Sequence, residues 1–223
     1  TFMMSIGQLT VQQFFAQLYA HTDVEEEPAS AGRSMNGHFG TRSLDENGEW
    51  KDLTKIKNSS ADISPTASQM PRLVGLAYAS KIYREVKKLH KKNKFSKKGQ
   101  EIAFGTIGNA STSEGMFFES INAAGVLQIP MLVSIWDDDY GISVPKEYHK
   151  SGGSISEALK GFQREKGKDG FEIIKVKGWD YLACIEAFRK AEKLAREEHI
   201  PVIIHFVELT QPQGHSTSGS HER

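Results

Sequence analysis

Four short apolar runs separated by helical segments predict an α/β fold, a three-layer α/β/α domain built on a mainly parallel sheet. The runs are residues 102–107, 131–136, 171–176 and 202–209. Their apolar residues are nearly continuous, as strands covered on both faces require. The segments between them, 113–128, 154–166 and 180–199, carry helical spacing. It is clearest in the last, where Leu182, Cys184, Ile185, Phe188, Ala191 and Leu194 fall on one side.

Ahead of this core, residues 8–21 place Leu9, Val11, Phe14, Phe15, Leu18 and Tyr19 at helical intervals. An acidic, small-residue connector follows, and residues 32–60 then show no sustained period and read as a long loop. Loops of that length in compact domains are commonly functional. Residues 69–90 read as a helix with Pro71 tolerated in its first turn. Its lysine-rich end, "KKLHKKNKFSKKGQ", reads as a solvated helix end, since no aromatic interleaving supports base stacking. The chain is expected to be a single domain over 1–223. Residues 1–31 would hold the N-terminal helix and connector, 32–60 the loop, and 61–223 the α/β core. A start at Thr1 and an end at Arg223 point to a piece of a longer polypeptide.

Bulk properties exclude several classes of function. Basic and acidic residues number 28 each, so no global field favours nucleic acid or an anionic membrane. The lone Cys184 rules out an internal disulfide framework and suits a reducing compartment. No apolar run approaches the roughly 20 residues that span a bilayer, and Thr1-Phe2-Met3-Met4 does not begin a signal peptide. A cytoplasmic protein is expected.

Chemistry is expected where the strands end, because open parallel sheets bind ligands beyond their carboxyl edge. Gly108-Asn109-Ala110-Ser111 follows the first run, and Asp137, Asp138 and Asp139 follow the second. A small-residue turn feeding a helix suits a phosphate, and an amide facing a carboxylate suits a divalent cation. Each stretch also has a plain reading. Asn109 serves as a turn former or cap, and aspartates after a strand often only solvate a loop. The G-x-G-x-x-G and G-x-x-x-x-G-K patterns are both missing.

Five motifs in order decide between these readings. They are "GRSMNGHFG" at 32–40, "SPTASQMP" at 64–71, "GNASTSEG" at 108–115, "DDDYGISVP" at 137–145 and "GHSTS" at 214–218. Together they resemble the alpha subunit of the thiamine diphosphate-dependent component of 2-oxo acid dehydrogenase complexes. The resemblance implies the thiamine diphosphate-binding fold, with Asn109 and Asp138 separated as that family's metal motif requires (29 positions, 109 to 138). The family pairs an acid in the first motif with an amide in the second, and here the two are exchanged. The resemblance therefore implies a swapped magnesium pair, Asn109 and Asp138, with the backbone carbonyl of Tyr140 as third ligand. Asp137 and Asp139 are expected to point elsewhere by strand alternation.

The same resemblance implies further site residues. Gly108, Ala110 and Ser111 would meet the cofactor diphosphate, with Gly141 and Ile142 lining the same motif. Ser64 and Thr66 would contact the aminopyrimidine ring, although "SPTASQ" reads equally as a helix-entry turn. His215 would act near the reacting centre and in acyl transfer, while Ser216 and Ser218 match a loop phosphorylated in some relatives. Some members of the family it resembles carry an arginine where Trp136 stands, so the resemblance does not carry over that diphosphate contact. His38 reads as structural or as lining the site entrance, His90, His199 and His205 fall on helix ends and a strand, and His21 and His149 lack a second group at ligand spacing.

The implied reaction is oxidative decarboxylation of a 2-oxo acid, with the acyl group passed to a lipoyl-bearing acyltransferase. "SPTASQ" with "GHSTS" leans toward branched-chain acids over pyruvate. A beta subunit, or a fused beta half, would supply the pyrimidine-binding domain and the activating glutamate, in a heterotetramer or a homodimer of fused chains. Neither nucleic acid nor membrane is an expected partner. Two rivals are a non-catalytic assembly subunit and an unrelated phosphate-binding enzyme.

Overall fold

The computed structural model describes residues 2–34, 38–91, 93–210 and 215, and these form two compact units. The first comprises Thr1–Pro65 and Lys92–Ser96. The second comprises Thr66–Lys91 and Lys97–Arg223.

In the first unit α1 spans Phe2–Ser5 and α2 spans Val11–Leu18. Thr10 and Gln13 close a capping box, which starts α2 at Val11, two residues after the first apolar residue of its pattern, Leu9. Of the residues at helical spacing, Val11, Phe15 and Leu18 are exposed, while Leu9 and Gln17 are buried. The connector folds around Glu27, whose buried carboxylate accepts N–H groups from Ala29, Ser30 and Gly32 and the Ser30 hydroxyl. Gly32 is required there: at φ +74° a Cβ would stand 2.5 Å from the Ala20 carbonyl oxygen. Farther on, the loop pairs Leu44 with Trp50, whose ring packs edge-on against Phe95.

In the second unit α3 spans Gln69–Glu85, one four-residue turn at Lys87–His90 follows it, and β1 spans Ala103–Gly108. Then come α4 (Gly115–Leu127), β2 (Met131–Trp136), a small hairpin of β3 (Tyr140–Gly141) and β4 (Val144–Pro145), and α5 (Ile155–Ala158). The chain continues through β5 (Glu172–Lys177), α6 (Tyr181–Lys193) and β6 (Val202–Val207). The sheet is parallel throughout, in the order β1-β2-β6-β5. One face buries Ile107, Met131, Val133, Ile135 and Ile203 with Met70, Leu73, Phe117 and Ile121 of α3 and α4. The opposite face buries Leu132, Ile204 and Phe206 with Ala187 and Ala191 of α6. This is the expected α/β fold.

Three helices differ from their patterns. The segment expected to be one helix over 154–166 is the single turn α5 followed by a tighter turn at Lys160–Phe162, with Gly161 inside it. Beyond it, Gln163 bridges to Phe171. α3 stops at Glu85 because Val86 adopts φ −91°, ψ 86°, outside the helical region. After α6 the helix widens over Leu194–Glu198 and ends at His199, in the left-handed region with φ 56°. Among the described residues no helix is long and apolar enough to cross a membrane.

Candidate functional site

The site is set by register. Gly108 at the end of β1 stands beside Trp136 at the end of β2, and Trp136 stands beside Phe206 of β6. The next residue of each of the first two strands stays tied to its neighbour. Asn109 N–H donates to the Trp136 carbonyl at 3.0 Å, and Asp137 N–H to the Phe206 carbonyl at 2.9 Å. Side chains alternate along a strand, so 107 and 109, 135 and 137, and 203 and 205 all share one face. Asn109 and Asp137 are consequently side by side, and both are buried.

Their hydrogen bonds form one connected network. Asn109 Nδ2 donates to Asp137 Oδ1 at 2.8 Å, and Asn109 Oδ1 accepts the Ala110 N–H at 2.8 Å. Asp137 Oδ1 also accepts the Asp139 N–H, at 3.1 Å. Asp137 Oδ2 pairs with Nε2 of buried His205 at 2.9 Å, and His205 Nδ1 meets Ser156 Oγ at 3.1 Å. Burial alone would raise the Asp137 pKa, but the His205 hydrogen bond, the Asp139 N–H and nearby positive charge outweigh it. The carboxyl stays below its ordinary value. An ionised carboxylate accepts only, so Nε2 is the protonated nitrogen of His205.

This overturns the expectation that Asp137 points elsewhere. The side chain meeting Asn109 is Asp137, not Asp138, because pairing between β1 and β2 continues one residue past both strands. Asp138 is half-buried and its Oδ1 accepts the Tyr140 N–H at 3.3 Å, a local turn. Exposed Asp139 pairs with Lys146, which raises the lysine pKa. Tyr140 is exposed.

The β3–β4 hairpin closes on the turn after β1. A Cβ on Gly141 would stand 2.7 Å from Ala110 Cβ and 3.6 Å from His149 Nε2. Both ring nitrogens of His149 are buried without a hydrogen-bond partner. The next residue, Lys150, is 7% exposed, and its Nζ donates to Ser113 Oγ at 2.7 Å. Ser113 in turn donates to the His149 carbonyl at 2.9 Å. Burial pushes the Lys150 ammonium down to about 8, with the charge of Asp137 acting the other way. The turn Ala110–Ser113, which holds Ala110 and Ser111, thus has His149 and Lys150 along it.

These residues fit a phosphate group, and Asn109 and Asp137 as arranged offer a divalent cation no oxygen without a protein donor. A buried ammonium whose bonded partner is a hydroxyl, beside an imidazole with an unsatisfied N–H, matches an anion. Both Asp137 oxygens and the Asn109 carbonyl oxygen already hold protein donors. Among the described residues no group of three or more His, Cys, Asp and Glu is placed to hold a metal.

The other expected site residues are more dispersed. Gly108 closes β1, and Ile142 is exposed after β3 with φ 62°. Ser64 and Thr66 are exposed and lie in different units, with Ser64 Oγ bonded to His38 Nε2 at 2.8 Å. His215 is half-buried. Its motif partners, including Ser216 and Ser218, lie outside the described residues. His205, Ser156, His149 and Lys150 were missed. His205 had a signal, a lone imidazole inside the apolar run "VIIHFV"; a loop lysine carries none.

Comparison with known proteins adds the following. The family described as "Dehydrogenase E1 component" matches residues 3–221. The chain is 30% identical over 200 residues to the mitochondrial 2-oxoisovalerate dehydrogenase subunit alpha of Dictyostelium discoideum, which covers 89% of this chain and 37% of that protein. It is 29% identical over 178 residues to the 2-oxoisovalerate dehydrogenase subunit alpha of Bacillus subtilis (strain 168), 80% of this chain and 44% of that one. Over 153 residues it is 31% identical to the pyruvate dehydrogenase E1 component subunit alpha of Acholeplasma laidlawii, 67% of this chain and 38% of that one. The chain thus spans less than half the length of these relatives.

Proposed function

Because the chain belongs to the dehydrogenase E1 component family, we propose that it is the diphosphate-holding alpha half of a thiamine diphosphate-dependent 2-oxo acid dehydrogenase. The reaction is oxidative decarboxylation of a branched-chain 2-oxo acid, of the kind that names the first two relatives, with acyl transfer to a lipoyl group. Bound thiamine diphosphate supplies the carbon nucleophile and the electron sink. The observation that carries this reading is the turn Gly108–Ser113 at the carboxyl edge of β1, closed by the hairpin at Gly141.

The residues of this chain then have distinct tasks. Gly108, Ala110 and Ser111 let the backbone approach the diphosphate, and Gly141 and Ile142 form the opposite wall. The Asp137–His205 pair clamps Asn109, and with it the start of the turn. Ser64 and Thr66 face the aminopyrimidine ring, and His215 exchanges a proton at the reacting centre. A beta partner completes the site and a lipoyl-bearing acyltransferase takes the product. A cytoplasmic location is part of the same proposal.

The test is reduction of an artificial acceptor by the full protein with its beta partner, supplied with thiamine diphosphate. Substrates are 3-methyl-2-oxobutanoate, pyruvate and 2-oxoglutarate in turn. Turnover highest with 3-methyl-2-oxobutanoate is expected. Turnover highest with pyruvate would overturn the substrate assignment, and none with any acid would favour an assembly subunit.

A further inference from the structure

Buried charges in proteins are paired, and Lys150 has no carboxylate within ion-pair distance among the described residues. Its Nζ uses one of three donors, on a neutral hydroxyl. His149, next in the chain, has two buried ring nitrogens and no partner for either. Every tautomer of an imidazole carries at least one N–H, so a donor is left unsatisfied here whatever the protonation. Two adjacent side chains with unused donors, beside one small-residue turn, form a cluster that the network around Asp137 does not absorb.

Geometry places this cluster against the diphosphate turn. Ser113, which holds Lys150, closes the turn that Asn109 opens. The His149 ring abuts Gly141, where a Cβ would already crowd Ala110. Asp137, the acid that meets Asn109, holds Asn109, His205 and the Asp139 amide, and Asp138 turns Oδ1 to the Tyr140 amide.

We infer that Lys150, assisted by the N–H of His149, is the built-in counter-charge for the cofactor diphosphate, so that this site holds the diphosphate without a divalent cation. The inference rests on the function proposed above. The lysine gains in the complex what it lacks alone, a paired charge in a buried setting, and a charge-assisted bond there is stronger than one at the surface. The imidazole gains an acceptor for its orphaned proton.

The experiment is a calorimetric titration of the full protein with its beta partner, using inorganic diphosphate and separately thiamine diphosphate, in EDTA and in excess magnesium. Wild type is compared with Lys150→Met and Lys150→Arg, each checked for cooperative unfolding. Binding in EDTA is expected, with magnesium leaving the dissociation constant essentially unchanged. Lys150→Met is expected to weaken both probes by about tenfold or more, the scale of one hydrogen bond to a charged group, and Lys150→Arg to keep most of the affinity. Binding that requires magnesium, or that ignores Lys150→Met, overturns the inference and leaves the proposed function standing. Failure of folded wild type to bind thiamine diphosphate under either condition overturns both.

Discussion

Lys150→Met should make the ligand-free protein more stable, and the size of the gain follows from the buried ammonium. Lys150 is 7% exposed, and burial holds its pKa at about 8 against an ordinary 10.5. A folded value below the unfolded one means that the unfolded chain binds more protons between those two values. Stability therefore rises with pH through that window. Below about 8 the penalty is complete, and at 1.36 kcal/mol per unit it comes to about 3 kcal/mol. Methionine removes the charge and keeps most of the stem, but forfeits the bond to Ser113 Oγ, worth about 1 kcal/mol. The net expectation at pH 7 is a gain of about 2 kcal/mol, measured by denaturant unfolding. Between pH 8 and 10.5 the wild type should climb toward the variant, whose own profile lacks that rise. A variant less stable than wild type at pH 7, or two parallel profiles, would refute the reasoning. A stabilising change at a position whose loss weakens ligand binding is the signature of a functional group held at a cost.

Other perturbations test the rest of the frame. His205→Ala leaves Oδ2 of the buried Asp137 carboxylate without its donor and should cost about 1–3 kcal/mol in denaturant unfolding at pH 7. The folded Asp137 pKa is depressed, so its stabilising contribution is present above the ordinary value of 3.8 and fades as pH falls through the folded value. The gap between wild type and His205→Ala should therefore narrow in acid. Gly141→Ala drives a methyl to 2.7 Å from Ala110 Cβ, so the hairpin must leave the turn. A loss of about 1–3 kcal/mol in thermal unfolding is expected, with weaker thiamine diphosphate binding. Phe117→Ala empties a fully buried position between the helices and the sheet and should cost about 3–5 kcal/mol, seen as a lower denaturation midpoint.

What was legible depended on whether the sequence signal was local. The strands were legible because Met131–Trp136 and Val202–Val207 are almost wholly apolar, and only a strand covered on both faces calls for that. α2 was legible as a helix but not in its facing, since spacing states which residues share a side and not what that side meets. The same limit explains the two missed donors, His149 and Lys150. Lys150 lies between the turns at Lys146–Tyr148 and Ser151–Gly153, and neither has a periodicity that marks a buried side. His149 likewise gains its meaning from Gly141, eight positions earlier in the chain but in contact through the hairpin.

The aspartate triplet shows the distinction most sharply. Counting positions from Asn109 leads to Asp138, because a motif fixes separation along the chain. The hydrogen bonds lead to Asp137, because parallel register fixes separation across the sheet. Gly108 stands beside Trp136, and each strand's next residue remains tied to its neighbour, so the in-register partner of Asn109 is one position earlier. A shift of one residue at a strand end turns a side chain to the other face. His205 reinforces that outcome from the third strand, since its register with Ile135 puts its ring on the same face as Asp137. Asp137 is thus held from both neighbouring strands, by Asn109 on one side and His205 on the other. A carboxylate fixed in this way is spent on the architecture of the turn, and the charge that faces a diphosphate must come from elsewhere. Lys150 is the buried group placed to provide it.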